Sequence, residues 1–144
     1  MKQNSQTNHC FSPEETQAIA AQFAATLTPN SIVALTGDLG AGKTTFVKGL
    51  AEALGSNDIV QSPTYVYLQE YAASIPLFHF DLYRMRTADD FLAMGFDEYF
   101  SKEGITLIEW PQRISKLLPP TTFHIHIETL SEEGRAISFT EWVS

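Results

Sequence analysis

The sequence predicts an α/β domain built around a phosphate-binding loop, and three observations carry that prediction. Residues Gly37-Asp38-Leu39-Gly40-Ala41-Gly42-Lys43-Thr44 read G-x-x-x-x-G-K-T between a strand-like run and a helix-like one. A short apolar run, Ile105-Thr106-Leu107-Ile108, ends in the acid Glu109, as a buried strand delivering a carboxylate to a sheet edge would. Two pairs of β-prone runs are joined by connections too short for a parallel crossover, so a purely parallel sheet is disfavoured.

At 144 residues the chain is long enough for one domain, 1–144, with a single core. Met1 to Gln6 is polar and lacks the apolar centre of a signal peptide. Ser12-Pro13-Glu14-Glu15 predicts a helix start, with Ser12 as N-cap, Pro13 at the first helical position and Glu15 completing a capping box. Ile19, Phe23 and Leu27 mark its buried stripe, and Pro29 ends it. No residue between Thr16 and Gly37 is charged, yet Pro29-Asn30 and scattered polar residues divide the stretch into a helix and a strand rather than a membrane span. A segment in this position can lie beside a bound base, which makes Thr16 and its neighbours candidates for an adenine pocket; a surface helix is the alternative reading.

Ser31 to Thr36 reads as a strand buried on both faces. After the loop, Phe46, Val47, Leu50, Ala51 and Leu54 fall at helical spacing, and Gly55 stands where a C-terminal cap belongs. Tyr65 to Tyr71 and Leu77 to Leu82 form the first predicted hairpin across Ala72 to Pro76. Thr87-Ala88-Asp89-Asp90 opens a further helix, with Phe91, Leu92 and Phe96 apolar and Gly95 interrupting. Gln112 to Leu118 reads as a short helix before Pro119-Pro120. Phe123, Ile125 and Ile127, then Arg135, Ile137 and Phe139, alternate with other residues around the Gly134 turn and predict a second hairpin.

Composition limits the function. The net charge is -8, and only 9 lysines and arginines are present, so a broad basic surface for a nucleic-acid backbone is not expected. Any action on RNA should pass through a partner. With one cysteine, Cys10, neither an internal disulfide nor a cysteine-based metal site is possible. The expected setting is the cytoplasm, without membrane attachment.

The loop dictates the chemistry. Its glycines let successive backbone N–H groups turn inward toward phosphate, and the following helix adds the partial positive charge of its N-terminus. The candidate nucleotide-binding residues are therefore Asp38, Leu39, Gly40, Ala41, Gly42, Lys43, Thr44 and Thr45. Lys43 would reach the β- and γ-phosphates, and the Thr44 hydroxyl would ligate Mg²⁺. Hydrolysis also needs a carboxylate near the metal and a group that orients water. Glu109 is assigned to the metal and Asp81, which ends a strand-like run in Phe80-Asp81-Leu82-Tyr83-Arg84, to water orientation or an outer metal contact; the reverse assignment remains open. Thr64, in the loop after the P-loop helix, is a candidate sensor of the γ-phosphate by analogy with GTPase switches. Arg84 is left with two readings, a phosphate or a partner contact, whereas Arg86 and Arg113 read as surface residues. Trp110, next to the candidate metal ligand, reads as a buried aromatic supporting the site in preference to one stacking on a base. The four histidines show no ligand spacing, and His124 and His126 share one strand face.

Four segments recur together and in order: Gly37 to Phe46, Ser62-Pro63-Thr64-Tyr65, His79-Phe80-Asp81-Leu82-Tyr83-Arg84 and Leu107-Ile108-Glu109-Trp110-Pro111. In these segments and over nearly its whole length the chain resembles the TsaE (YjeE) family of small bacterial P-loop ATPases. The resemblance implies a P-loop NTPase-like mixed sheet, parallel at its centre with antiparallel strands flanking it and helices on both faces. It also implies ATP with Mg²⁺, weak hydrolysis by the isolated protein, and work with TsaB and TsaD. In that complex TsaD transfers the threonylcarbamoyl group to adenosine at position 37 of tRNA, and the ATPase resets or regulates the assembly.

Two other readings compete. A small-molecule P-loop kinase usually carries an arginine-bearing lid, and the four arginines here are not gathered in a long insertion. A non-hydrolysing nucleotide switch would share the same motifs. No guanine-reading N-K-x-D is present, and adenine rests on the resemblance.

Overall fold

Consecutive apolar residues in Ile32–Leu35 and Ile105–Ile108 require cover on both faces of a sheet, and the fold supplies it. The computed structural model describes residues 2–38, 40–58, 60 and 67–143. In chain order the elements are β1 (Lys2–Cys10), α1 (Pro13–Ala24), β2 (Ile32–Gly37), α2 (Lys43–Ala53), β3 (Leu68–Tyr71), β4 (Leu77–Asp81) and α3 (Ala88–Ala93). A 3-10 segment Phe96–Ser101, β5 (Ile105–Glu109), a second 3-10 segment Pro111–Leu117, β6 (Phe123–Thr129) and β7 (Arg135–Val143) complete the chain. The strands form one 7-stranded sheet in the order β1-β7-β6-β2-β5-β4-β3. The pairs β6–β2, β2–β5 and β5–β4 are parallel, while β3–β4, β6–β7 and β1–β7 are antiparallel. The sheet is thus mixed, with a parallel centre and both hairpins in the expected places.

Alternation sorts the central side chains onto two cores. Val33, Leu35, Leu107, Ile125 and Ile127 pack under α1 and α2, whereas Ile32, Phe78, Phe80 and Ile108 pack with Phe91, Met85 and Ile114 on the other face. Phe80 anchors that second core, with ring centroids 5.5 Å from Phe91, 5.2 Å from Phe96 and 5.7 Å from Tyr99.

Helix α1 starts as expected: Ser12 Oγ accepts from Glu15 N at 3.1 Å. Glu15 reaches back one residue further than the usual box, its Oε2 accepting from Phe11 N at 2.9 Å. The helix ends at Ala24 rather than at Pro29, because both the N–H and the hydroxyl of Thr26 bond the Phe23 carbonyl. Of its expected stripe, Leu27 is buried and Ile19 and Phe23 pack against the core half-buried, while the buried positions of the helix itself are Thr16, Ala20 and Ala24. Close helix packing is the reason: a Cβ on Gly49 of α2 would stand 2.7 Å from Gln17 Cα and 3.0 Å from Ala20 Cβ, so only small residues fit between the helices. Leu92 of α3 is exposed rather than packed.

Strand β1 has no counterpart in the sequence reading. It lies at the sheet edge against β7, register Ser5↔Thr140 and Thr7↔Ser138, with the paired hydroxyls 3.4 and 3.2 Å apart. Such an edge strand needs no apolar face, and so carried no alternation to find. The first predicted hairpin starts at Leu68, and Tyr65 and Val66 lie outside the described residues.

Candidate functional site at the carboxyl ends of the parallel strands

The site forms where β2, β5 and β4 end side by side. Gly37 closes β2 with φ 153°, and a Cβ there would stand 2.7 Å from the Ile127 carbonyl of β6, which leaves room for glycine alone. Beyond it the Asp38 carbonyl accepts from Ala41 N at 3.0 Å, and Gly42 turns through the left-handed region at φ 100° into α2. Lys43, Thr44 and Thr45 therefore occupy the first helical turn, whose N–H groups lack intrahelical acceptors. Asp38 and Gly40 are exposed, Ala41 is buried, and Gly42, Lys43, Thr44 and Thr45 are half-buried. Leu39 and Thr64 lie outside the described residues.

Register then aligns the acids. Leu35 pairs with Glu109, and Glu109 with Asp81, so both carboxylates reach the edge from which the loop departs. Glu109 is only 5 % exposed. Burial of such a group requires partners. Its Oε1 lies 3.8 Å from Lys43 Nζ, and its Oε2 accepts from His79 Nε2 at 2.6 Å. Behind His79, which is 1 % exposed, the chain continues: Nδ1 lies 3.3 Å from the Tyr71 hydroxyl, which donates to Gln69 Oε1 at 2.5 Å. Lys43, Glu109, His79, Tyr71 and Gln69 thus form one polar line from the loop to the first hairpin. His79 is the residue that sequence reasoning missed. Two signals pointed to it: it opens the family-like segment His79-Phe80-Asp81-Leu82-Tyr83-Arg84, and it stands two residues before Asp81, where strand alternation puts it on the same face as the acid.

Asp81 is in a different setting. Its Oδ1 accepts from Tyr83 N at 3.0 Å, yet burial pushes its carboxyl above the ordinary value; the adjacent Glu109 pushes the same way, while the Tyr83 bond, His79 and Lys43 oppose. Trp110 follows Glu109 in the left-handed conformation, φ 59°. Lys43 Nζ stands 5.5 Å from its ring centroid, Arg113 stands at 5.8 Å, and the Tyr83 ring lies 5.0 Å away. Trp110 is half-buried rather than buried, and its ring lies beside the lysine. Arg113 is exposed but engaged, its Nη2 donating to the Tyr83 carbonyl at 3.3 Å, and Arg84 and Arg86 are exposed.

Thr16 is not available to a base. It is 4 % exposed, and its hydroxyl lies 3.2 Å from Cys10 Sγ, so the adenine-pocket expectation is corrected for this residue: close α1–α2 packing turned it into the core. His124 and His126 are exposed on β6, and His126 Nδ1 lies 2.7 Å from Thr36 Oγ1. A cavity of about 30 Å³ is bounded by Leu35, Thr36, Gly37, Lys43, Trp110 and Gln112.

The donors at this edge are hard oxygens, the Thr44 hydroxyl and the Glu109 and Asp81 carboxylates, a set that suits Mg²⁺ rather than a soft metal. Among the described residues, no group of three or more His, Cys, Asp or Glu forms a metal cage. A lysine against a buried carboxylate, beside a helix N-terminus, can bind an anion and organise charge around it.

Comparison with known proteins points to one family. Residues 10–137 match the family described as Threonylcarbamoyl adenosine biosynthesis protein TsaE. The tRNA threonylcarbamoyladenosine biosynthesis protein TsaE of Bacillus subtilis (strain 168) is 46% identical over 129 residues, covering 89% of this chain and 80% of that protein. The protein of the same name from Rickettsia bellii (strain RML369-C) is 40% identical over 131 residues, covering 90% of each. The crystal structure of Bacillus subtilis YdiB superposes with a TM-score of 0.84 at 39% identity, covering 98% of this chain and 88% of that one. Among the described residues, no helix is long and apolar enough to cross a membrane.

Proposed function

Because this chain belongs to the TsaE family of threonylcarbamoyl adenosine biosynthesis proteins, we propose that it is a Mg²⁺-dependent P-loop ATPase, slow on its own, that drives or regulates the complex making N6-threonylcarbamoyladenosine at position 37 of tRNA. The supporting observation is the convergence of Lys43 with the buried Glu109 at the edge where the loop meets α2.

In this reading the backbone from Asp38 to Thr45 holds the phosphates of ATP, and Lys43, already steadied by Glu109 and Trp110, carries the positive charge that faces them. Thr44 and Glu109 hold Mg²⁺, which when bound neutralises negative charge developing on the phosphoryl oxygens. His79 keeps the Glu109 carboxylate from rotating by holding one oxygen, leaving the other directed at Lys43. Asp81, paired with Glu109 at the strand ends, orients the attacking water or makes an outer contact to the metal. Thr64 senses the γ-phosphate. TsaD and TsaB are the partners, and tRNA is met only through them, as a net charge of -8 favours.

Phosphate release under turnover conditions tests the proposal, measured for the chain alone and with TsaB and TsaD. Slow release that rises with the partners is expected. No release in either condition would overturn the ATPase assignment and leave a nucleotide switch.

A further inference from the structure

Arg135, the first residue of β7, sends its side chain back to the loop. Its Nε donates to the Ala41 carbonyl at 3.0 Å. Its Nη1 meets three carbonyls of the β6–β7 turn: Ser131 at 3.0 Å, Glu132 at 3.3 Å and Gly134 at 2.9 Å. One half-buried guanidinium thereby joins a turn on the antiparallel side of the sheet to the centre of the phosphate loop. The turn is itself well fixed, since Gly134 N donates to Ser131 Oγ at 2.9 Å and Leu130 N to the Gly134 carbonyl at 3.0 Å.

The consequence follows from peptide planarity. The Ala41 carbonyl and the Gly42 N–H belong to one trans plane and point in opposite directions. Gripping the carbonyl from the β7 side therefore sets the direction of the Gly42 N–H on the other side of that plane. Gly42, at φ 100° and with nothing within 4 Å of where a Cβ would stand, has no side-chain packing to fix it. Ala41 is held on the near side by its buried Cβ and its bond to Asp38, and Arg135 anchors the carbonyl that joins it to Gly42. Lysine could not do the same. A guanidinium offers a planar fork of donors that spans the loop carbonyl and the turn carbonyls together, whereas an ammonium is a single compact point on a flexible stem.

We propose that Arg135 is a positioning residue for phosphate binding: it presets the Ala41–Gly42 peptide plane of the loop by bracing it against the β6–β7 turn. The proposal rests on the reading of the loop as a nucleotide phosphate site. Its action is through geometry rather than through its charge.

The test compares Arg135→Ala, Arg135→Lys and Lys43→Ala with the parent in the full chain. ADP and ATP affinities are measured by calorimetry, and amide hydrogen exchange over residues 40–44 is followed without nucleotide. Arg135→Ala should weaken both nucleotides by about tenfold, the worth of one well-made hydrogen bond. Arg135→Lys should recover less than half of that loss on a logarithmic scale, and exchange over 40–44 should quicken in both variants while the other strands keep parent protection. Affinity within twofold of the parent in Arg135→Ala, or full recovery in Arg135→Lys, would overturn the proposal, the second by showing that charge alone suffices. If Lys43→Ala also binds like the parent, the phosphate-site reading itself is what fails; if Lys43→Ala loses binding and Arg135→Ala does not, only the role of Arg135 falls.

Discussion

The cavity of about 30 Å³ where the loop leaves β2 is bordered by Lys43 and Trp110, with Glu109, His79 and Asp81 behind it. The cavity of about 280 Å³ between α1 and the strands β1, β7 and β6 is far roomier, and Phe23, Phe123 and Phe139 meet there among Asn4, Gln6 and Gln22. It opens near the start of β6, whereas the loop follows the carboxyl end of the parallel β2. Size and chemistry therefore point to different places. A phosphate loop binds with backbone N–H groups that wrap an anion at the surface, so it needs little enclosed volume. What marks it is the gathering of buried charge, Glu109 between Lys43 and His79, beside the loop. We place the chemistry at the smaller space.

Breaking that placement should begin with the largest effect. Lys43→Ala removes the cation facing the phosphates and leaves Glu109 with His79 alone, and ATP affinity by calorimetry should fall about 100-fold. Next, Glu109→Gln should lower phosphate release at saturating ATP by about 100-fold or more while changing nucleotide affinity far less, since disturbing even outer partners of a metal site costs about 10- to 100-fold. Normal turnover in that variant would remove Glu109 from the metal.

Asp81 gives a smaller, signed effect. Burial, reinforced by Glu109, raises its folded-state pKa, so its contribution to stability is present below the unfolded value and is lost as pH rises through the folded one. Asp81→Asn carries no charge to desolvate. It should melt about 2 °C above the parent near pH 7, and the gap should narrow as pH falls toward the ordinary carboxylate range. A variant less stable than the parent at neutral pH would contradict the buried-charge account. The smallest effect belongs to the larger cavity: Gln22→Ala, on its rim, should leave ATP affinity within about twofold, because no charged group of the loop is near it.

Much of the candidate site's arrangement, Lys43, Glu109 and Asp81 at one sheet edge, was legible because its signals are local. The glycines and Lys43 sit in one short motif, and the acid at the end of an apolar strand marks where a parallel sheet delivers ligands to its carboxyl edge. The hairpins were legible from connection length, and the Ser12 and Thr87 caps from residue type, the latter accepting from Asp90 N at 3.1 Å. What stayed hidden depends on pairing between distant segments. His79 meets Glu109 only because β4 lies in register beside β5. Arg135 reaches Ala41 only because β6 lies beside β2 and brings the following turn to the loop. Strand β1 is polar on the sides that pair hydroxyls with β7, so it showed no periodicity. On α1 the large residues Ile19, Phe23 and Leu27 did mark the core side, but the tightest contact, of Gly49 with Gln17 and Ala20, involves small atoms and showed only once the two helices were packed together.

Amide chemical-shift mapping of Mg²⁺·ATP on the nitrogen-15-labelled chain tests the placement most directly. The account predicts that the strongest shifts fall on Gly37 to Thr45, with Asp81 and Glu109 following. Strongest shifts instead on Phe23, Phe123 and Phe139 would place the nucleotide in the larger cavity and contradict it.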